Sequence, residues 1–412
     1  MSKGATSSKI IQRCDELAKV SDTPESISRV FLGPCYKDGL KLVNSWMVEE
    51  GLQTYFDPVG NLIGRLACNE EKAPTLMIGS HLDTVPNAGR FDGILGVMIG
   101  LDVVHRIQKE NLKLPFHLEI IGIGDEEGVS FNASMLGSKA LVGGWNDSTL
   151  ELMNAEGKTL HEALVDQGFD AENYQQASRK NDNLIGYWEV HMEQGPVLEK
   201  EELPIGIVTA IAGARRFKVT IEGDAGHAGT VPMNLRHDAL TTAAEIILMI
   251  EKQAQQNGIV ATVGKINCYP NAVNVIPGTV EFTVDIRSEN DALRERIMNL
   301  VFMYSEGMGL QRNVQIYWNE YHFAPATQCH PEFRVLFEQA IAEQGIHVRS
   351  LVSGAGHDAM TLAAITNVGM LFVRCKDGIS HHPDEFVSQA DADAASETIF
   401  RALIKLANQY QD

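Results

Sequence analysis

Histidine and acidic side chains recur in this sequence at the points where short apolar runs end. In chain order, these side chains are His81 with Asp83, then Asp92, then Asp125, Glu126 and Glu127, then His191, and finally His381. Imidazole and carboxylate groups are common ligands of divalent metal ions in hydrolytic sites. In open α/β sheets, ligands bind at the edge where the buried strands end. The pattern therefore predicts metal-assisted chemistry at one edge of a sheet.

A site for two metal ions needs about five such ligands, with one carboxylate shared between the ions. That number is supplied by His81, Asp92, Glu127, His191 and His381. Glu126 would then remain free to activate the attacking water as a general base. Asp83 is placed to fix the second ring nitrogen of a metal-binding His81.

Each of these features also has a structural explanation that involves no metal. The His-x-Asp pair is compatible with a strand end that carries a surface histidine, Asp92 with an N-cap, and the acidic run with a solvated turn. However, three adjacent carboxylates at the end of a core strand repel one another unless cations lie among them, which favours a metal site. Gly122, Gly124 and Gly128 do not have the spacing of the dinucleotide fingerprint, so we do not expect nucleotide binding.

Length and composition limit the class of protein. The chain has 412 residues, which exceeds one ordinary domain and predicts two. A net charge of −20 repels phosphate backbones and argues against a nucleic-acid partner. The 6 cysteines are scattered without a Cys-x-x-Cys pair, so we expect reduced thiols and a metal held by histidine and carboxylate. No apolar stretch approaches bilayer length, and Met1 to Ala5 lack the apolar core of a signal peptide, so we predict a cytoplasmic protein with no membrane partner.

The elements that position these side chains alternate between strand and helix in the first half of the chain. Strands are predicted at 75–79, 117–124, 187–191 and 205–211, with a helix at 93–107. The pattern resumes near residue 330, with helices at 331–344 and 390–409 and a strand at 369–374. Such alternation predicts a parallel or mixed sheet covered by helices.

The segment between these two parts has a different pattern. Strands are predicted at 217–221, 259–266, 279–287 and 314–318, and helices at 238–253 and 291–304. The order βαββαβ predicts a small open-faced sandwich. We therefore predict a discontinuous α/β domain over 1–212 and 326–412, with a second domain inserted over 213–325.

Eight motifs, taken in order, identify a family. They are GSHLDTV, GRFDGILG, DEEG, EVHMEQG, GHAGTVPM, NAVNVIPG, SGAGHDA and GISHHP. The chain resembles the aminoacylase/carboxypeptidase-like metallopeptidases of M20 type, and within them the group of allantoate amidohydrolases and N-carbamoyl-L-amino-acid hydrolases. The resemblance covers about 31–406. It implies a mixed-sheet, phosphorylase/hydrolase-like α/β catalytic domain with an inserted ferredoxin-like α+β dimerisation domain.

The resemblance also implies roles for the residues singled out above. Asp92 would bridge two metal ions, with His81 and His191 completing one site and Glu127 and His381 the other. Glu126 would carry a proton from water to the leaving nitrogen, and Asp83 would support the catalytic group. A histidine at position 191 is typical of the ureido-acid group. Zn, Mn, Co or Ni would suit such ligands.

The inserted domain is expected to contribute to substrate binding. His227 resembles the histidine that polarises the scissile carbonyl, typically at the site of the partner subunit, which implies a homodimer. The other substrate contacts implied are Gln194, Arg215, Asn274, Arg287, Gly354, Ala355 and Gly356. An arginine suits a substrate carboxylate because its planar fork binds two oxygens. Without the resemblance, Arg287 would be interpreted as an exposed charge beside Asp285.

The leading functional hypothesis is hydrolysis of allantoate to ureidoglycine, ammonia and CO2 in purine catabolism. The alternative is hydrolysis of N-carbamoyl-L-amino acids by the same residues, since both substrates pair a ureido group with an α-carboxylate. A dipeptidase or aminoacylase is disfavoured by His191 and the EVHMEQG segment. A binding protein without activity is disfavoured because every predicted ligand and the base are present.

Overall fold

The computed structural model describes residues 8–410. Met1 to Ala5, on which the expectation about a signal peptide depends, lie outside the described residues. Within the part of the chain that the structure describes, no helix is both long and apolar enough to cross a bilayer. All six cysteines are free thiols. The chain forms two compact units, the first running to Thr209 and resuming at Cys329, and the second comprising Ala210–Gln328.

The first part of the chain alternates strands and helices. The strands are β1 (Gln53–Phe56), β2 (Leu62–Leu66), β3 (Thr75–His81), β4 (His117–Ile123), β5 (Leu184–Met192) and β6 (Ile205–Ile211). The helices are α1 (Ile10–Leu17), α2 (Tyr36–Glu49), α3 (Ile94–Lys109), α4 (Leu136–Leu141), α5 (Asp147–Leu150), α6 (Leu160–Asp166) and α7 (Val197–Lys200).

The second unit and the returning part of the first unit complete the chain. The second unit contains β7 (Gly213–Glu222), β8 (Gly226–His227), β9 (Val260–Thr262), β10 (Ile266–Tyr269), β11 (Val275–Ile276), β12 (Thr279–Ser288), β13 (Gln315–Ala324) and β14 (Thr327–Gln328), with helices α8 (Ala239–Asn257) and α9 (Asp291–Arg312). The return adds α10 (Pro331–Ala342), β15 (Ser350–Ser353), α11 (Asp358–Leu362), β16 (Val368–Val373) and α12 (Gln389–Gln409).

The sheet of the first unit is mixed, as the sequence predicted. Its strand order is β1-β2-β4-β3-β5-β16-β6, with β15 beside β6. The four central strands β4, β3, β5 and β16 run parallel. β2 pairs antiparallel with β4 and β6 pairs antiparallel with β16, while β1 pairs antiparallel with β2. β3, β4 and β16 are buried along their whole length, which explains why they are continuous apolar runs without alternation. Helices such as α3, with 11 buried residues, cover the sheet.

The second unit is an antiparallel sheet with two helices on one face. The strand order is β10-β12-β7-β13, and the short strand β9 also pairs with β12. Every second residue of β12, from Val280 to Ile286, is buried and packs in one core with α8 and α9. The alternate residues lie on the open face of the sheet. α8 begins at the N-cap Asp238, whose carboxylate accepts two backbone N–H groups, and ends at Gly258 in a left-handed conformation.

One predicted strand is wrong in detail. The sequence pattern predicted a single strand over 259–266, whereas the structure has two short strands, β9 and β10, separated by three residues that include Gly264. Both pair with β12, at Asp285–Arg287 and at Thr279–Phe282 respectively. The interruption is consistent with the weak strand propensity of glycine.

Candidate metal centre

Four parallel strands bring the predicted ligands to one edge of the sheet. Parallel neighbours end at the same edge, so residues that follow β4, β3, β5 and β16 meet there. His81 is the last residue of β3, and His191 is the penultimate residue of β5. Glu127 lies four residues after the end of β4, and His381 lies eight residues after the end of β16. Asp92 stands just before α3, on the connection that follows β3.

Asp92 is at the centre of this group. The whole residue is buried, with 3 % of its surface exposed to solvent. Oδ1 lies 3.1 Å from His191 Nε2 and 3.9 Å from His81 Nε2, whereas Oδ2 lies 3.1 Å from His381 Nε2. His381 Nε2 is also 3.5 Å from Glu127 Oε2. Each oxygen of Asp92 therefore faces a different pair of side chains.

The candidate ligand atoms form two groups of three that share Asp92. One group is His81, Asp92 and His191, and the other is Asp92, Glu127 and His381, with the ligand atoms in each within 4.8 Å of one another. This division is the one implied by the family resemblance. A third group, His81 with Glu126 and Glu127, meets the same distance limit. Glu126 thus lies within reach of the same space, and its role as base rather than ligand stays a prediction.

The hydrogen bonds of the two buried histidines identify which ring nitrogen is available. His81 Nδ1 lies 2.9 Å from the main-chain oxygen of Asp83, and His191 Nδ1 lies 2.9 Å from the main-chain oxygen of Met192. A carbonyl oxygen only accepts, so each Nδ1 carries a proton. In the neutral form, each Nε2 then presents a lone pair to the carboxylate of Asp92. Lone pairs that face a carboxylate require a cation or an added proton between them, so the donor set fits metal ions.

In the metal-free protein, protons are expected to take the place of cations. Although burial opposes it, the hydrogen bond and the charge of Asp92 raise the pKa of His191 to about 9. The hydrogen bond to Asp92 likewise raises the pKa of His381 to about 9. Burial, together with the charge of Asp92, raises the pKa of Glu127 to about 8. The cluster therefore holds positive charge around Asp92 even without metal.

The predicted role of the Asp83 carboxylate needs correction. Its Oδ1 lies 3.8 Å from His81 Nδ1, beyond hydrogen-bond distance, because the main-chain oxygen of Asp83 already accepts from that nitrogen. The carboxylate instead accepts the backbone N–H groups of Glu126 at 3.2 Å and Glu127 at 3.3 Å. Asp83 therefore orders the turn that carries the candidate base and one candidate ligand.

Glu126 is in a strongly acidic environment. Burial first, and then the charges of Asp358, Glu127 and Asp83, raise the pKa of Glu126 well above its ordinary value. A raised pKa brings a carboxyl group closer to the range in which it can both take and give a proton. These surroundings are consistent with the predicted role of Glu126.

Gln194 and the 354–356 turn lie close to the same cluster. The Gln194 amide donates to both oxygens of Asp92 at 3.2 Å and to Ser380 Oγ at 2.9 Å. The turn of Gly354, Ala355 and Gly356 joins β15 to His357, whose ring centroid is 4.5 Å from that of His191. Both predicted substrate-contact segments in the first unit therefore border the candidate metal ligands.

Three of the predicted substrate residues, His227, Asn274 and Arg287, lie in the second unit. β8 pairs with β11 so that His227 lies opposite Val275, and the main-chain oxygen of Asn274 accepts the N–H of Ala228 at 2.9 Å. Arg287 lies on the open face of the sheet, where its Nε and Nη2 bind the two oxygens of Asp285 at 2.8 Å each. Within this unit, His227 and Asn274 are neighbours.

Arg215, which was also predicted to contact substrate, does not lie beside Arg287. Arg215 pairs with Ile286 in the strand register, so it lies on the face covered by the helices, opposite to Arg287. Its guanidinium is bound by Glu320 at 2.8 Å and by Glu295 at 2.5 Å. Its neighbour Arg216 lies on the open face and donates to Asp285 Oδ2 at 2.9 Å. The alternation of Phe217, Val219 and Ile221 could have revealed this from the sequence.

Two buried glutamates support the cluster and were not singled out from the sequence. Glu385 Oε1 accepts the backbone N–H of Phe91 at 2.7 Å and of Asp92 at 3.0 Å. Glu189 accepts Ser80 Oγ at 3.0 Å and the N–H of Ala359 at 2.9 Å. Glu385 follows the GISHHP motif and Glu189 begins EVHMEQG, but only the tertiary structure shows what they bind.

Gly93 allows the close approach of His81 to Asp92. Its φ is +73°, and a Cβ atom at this position would lie 2.4 Å from His81 Nε2. Any other residue would be strained in this backbone conformation and would also displace the imidazole. Close packing against His81 therefore explains why a glycine follows Asp92 in the GRFDGILG motif.

The chain is similar in sequence and in fold to several known proteins. The sequence model of "Peptidase family M20/M25/M40" matches residues 77–405. N-carbamoyl-L-amino acid amidohydrolase of Geobacillus stearothermophilus is 38% identical over 401 residues, which cover 97% of this chain and 98% of that protein. Allantoate deiminase of Arabidopsis thaliana is 38% identical over 427 residues, with 95% and 81% covered. The crystal structure of an amidase of the hydantoinase/carbamoylase family from Burkholderia multivorans matches with a TM-score of 0.92 at 31% identity, and 97% of each chain is covered.

Proposed function

The chain belongs to peptidase family M20/M25/M40, as its motifs predicted, and we propose that it hydrolyses the ureido C–N bond of a small ureido acid, with allantoate as the leading substrate. The observation that carries the proposal is the pair of ligand groups that share Asp92, with Glu126 beside them. Relatives that act on N-carbamoyl amino acids and on allantoate are equally similar to this chain, at 38% identity. Both substrates have a ureido group and a carboxylate.

Two divalent metal ions would be held by the side chains around Asp92. His81, Asp92 and His191 would bind one ion, and Asp92, Glu127 and His381 the other. When bound, the ions would polarise the ureido carbonyl and lower the pKa of the attacking water. Imidazole and carboxylate donors suit Zn or Mn, and also Co or Ni.

Glu126 would move the proton during hydrolysis. Its carboxylate takes a proton from water as the new C–O bond forms at the ureido carbon. The same carboxyl group then gives that proton to the departing nitrogen, so that the C–N bond breaks and ammonia leaves. The carbamic acid that remains on the substrate loses CO2 and yields the free amine.

His227 is suited to polarise a carbonyl. The N–H of Gly229 donates to His227 Nδ1 at 3.0 Å, so the neutral ring carries its proton on Nε2. The imidazole is exposed and can direct this N–H towards a carbonyl oxygen. A donor aimed at developing negative charge on oxygen stabilises the transition state.

The substrate carboxylate would bind Arg287 with support from Asn274. Arg287 and Arg216 both bind Asp285, so the three side chains together keep one positive charge in excess on the open face of the sheet. Asp285 holds the Arg287 guanidinium in a fixed plane. A fixed fork suits a planar carboxylate better than a point charge does.

Replacement of Arg287 by lysine is expected to raise KM about tenfold to a hundredfold with kcat little changed, because charge remains but two-point hydrogen bonding is lost. Steady-state rates over a range of ureido-acid concentrations would measure this. Arg215→Lys, on the opposite face of the same sheet, is the matched control and should leave KM unchanged. A KM for Arg287→Lys that equals the control value would remove Arg287 from the substrate site.

The substrate can be decided by direct comparison. We expect the protein loaded with Mn or Zn to release ammonia from allantoate faster than from N-carbamoyl derivatives of several L-amino acids at equal concentration. Faster release from any N-carbamoyl amino acid would reverse this ranking, and release from neither class would refute ureido hydrolysis. The Glu126→Gln variant under the same conditions provides the background rate.

We also propose that the protein is a homodimer that pairs through the second unit. β13 is an edge strand of ten residues, and Tyr317, Tyr321 and Phe323 on it are 49%, 57% and 60% exposed. The adjoining helix α9 exposes Met303 and Leu310 at 69% and 87%. An unpaired edge strand beside apolar side chains favours pairing with another chain. By family resemblance, His227 would act at the metal site of the partner subunit.

A complementation experiment tests whether the sites are shared. We expect an inactive His227→Ala chain and an inactive Glu126→Gln chain to regain about a quarter of the wild-type rate after equal mixing and subunit exchange, because half of the dimers are mixed and one of their two sites is intact. Exchange is verified by native mass spectrometry with one chain isotope-labelled. If exchange occurs and activity stays absent, His227 serves its own subunit.

A further inference from the structure

The turn that carries His227 is held by an arginine from the same unit. Arg236 Nη2 donates to the main-chain oxygen of Ala228 at 2.6 Å, and Arg236 Nε donates to that of Val231 at 3.1 Å. These two carbonyl groups flank Gly229 and Thr230. The guanidinium therefore closes the turn at both ends with one rigid group.

The rest of the turn is bonded to His227. The main-chain oxygen of His227 accepts the N–H groups of Thr230 and Val231, both at 3.3 Å. The remaining N–H, that of Gly229, is directed at the imidazole and donates to Nδ1 at 3.0 Å. Arg236 binds two of the carbonyl oxygens of the turn in the arrangement in which this N–H reaches the ring.

We propose that Arg236 is a positioning residue that fixes the tautomer and orientation of His227. The chain of contacts runs from the guanidinium to the oxygens of Ala228 and Val231, then to the Gly229 N–H, and then to Nδ1. The effect is to keep the proton of His227 on Nε2, where it can be donated outwards. The inference rests on the proposed function, in which His227 donates to the ureido carbonyl.

An arginine is needed because one rigid plane must bind two carbonyl oxygens. Nε and Nη2 lie on the same side of the guanidinium and donate in nearly parallel directions. A lysine ammonium is a point donor on a flexible stem and does not hold two oxygens at a fixed separation. Because Nε and Nη2 are engaged with main-chain oxygens, Arg236 acts on the turn through these bonds.

His237 provides an internal control for the tautomer. Its Nδ1 lies 2.6 Å from Asp224 Oδ2, and its Nε2 lies 3.2 Å from the side-chain nitrogen of Asn313. A carboxylate only accepts and an amide nitrogen only donates, so His237 carries its proton on Nδ1. The two histidines therefore have opposite tautomers in the same unit.

The first test is spectroscopic and independent of activity. The full chain is labelled with 15N-histidine, and its metals are removed or replaced by zinc. Long-range 1H–15N correlation spectra are recorded, and the signal of His227 is assigned by its absence in His227→Gln. We expect a pure Nε2–H form for His227 in the wild type and in the control Arg296→Gln. Arg296 lies in the same unit and donates from Nη2 to Asn257 Oδ1 at 3.3 Å. In Arg236→Gln we expect the Nδ1–H form of His227 to appear while His237 stays unchanged, with Arg236→Lys intermediate. Unchanged His227 shifts, or equal changes at both histidines, would overturn the proposal.

The second test is a double-mutant cycle. Arg236→Gln is expected to lower kcat about tenfold with KM nearly unchanged, because an imidazole that loses its orientation loses transition-state stabilisation. In the His227→Gln background, the same change should have less than about a twofold effect, since the group through which Arg236 acts is gone. An equal loss in both backgrounds would show that Arg236 acts by another route. If the wild type turns over no ureido acid, the proposed function fails, and the spectra still decide the positioning role.

Discussion

Replacement of Glu126 by glutamine is expected to lower kcat about 10³-fold while the protein keeps the two metal ions that we propose it binds. The amide has nearly the same shape as the carboxylate but cannot take a proton from water, and general base and acid catalysis by one group contributes about 10²- to 10⁴-fold. The rate of ammonia release from the ureido acid and the metal content by atomic emission are measured on the same preparation. KM is expected to change little.

The neighbouring Glu127 provides the matched control. Glu127 lies with Asp92 and His381 in one ligand group, so Glu127→Gln should lower metal occupancy as well as rate. Because Glu126 also lies near His81 and Glu127, metal loss in Glu126→Gln would identify it as a ligand. Near-normal turnover with both metals bound would exclude Glu126 as the base.

Asp92→Ala is expected to remove both metal ions, whereas His191→Ala should remove one. Asp92 belongs to both ligand groups, and His191 belongs to one. The metal content should therefore fall from about two ions per chain to near zero in the first variant and to about one in the second. Metal content after dialysis against a metal buffer, compared across the variants, provides the measurement.

Two further variants separate ligand loss from misfolding. Asp92→Asn keeps the volume of the side chain and should still lose most of its metal. Asp102→Asn, on α3 and bonded to Ser396 in the same unit, should retain both ions. Equal metal loss in Asp92→Ala and His191→Ala would argue against a shared carboxylate.

Much of the candidate site could be predicted because a strand end is a local feature of sequence. Each ligand segment follows an apolar run, and parallel strands end at one edge of a sheet, so the ligands could be grouped without knowing distances. The strand and helix pattern was also readable, since the buried runs and the helical spacing are local. The break between β9 and β10 was missed although Gly264, a residue with weak strand propensity, lies in it.

Other features depended on contacts between distant segments. The sequence placed the Asp83 carboxylate on His81, but the carboxylate binds the Glu126 turn, which lies more than forty residues away. Glu385 reaches the backbone of Asp92 across nearly three hundred residues. No spacing rule connects such pairs, because their proximity is set by strand order.

The sequence by itself determined the family and the candidate residues of the site, because donor type and position at a strand end are local properties. It also contained the face on which each residue of β7 lies, in the alternation of Phe217, Val219 and Ile221. Only the tertiary structure decided that the two oxygens of Asp92 face different ligand groups, and that Gly93 makes room for His81. It alone directed the N–H of Gly229 to His227. These three features depend on angles and on differences in distance of a few tenths of an ångström. The packing of the whole chain fixes them, and no local pattern encodes them.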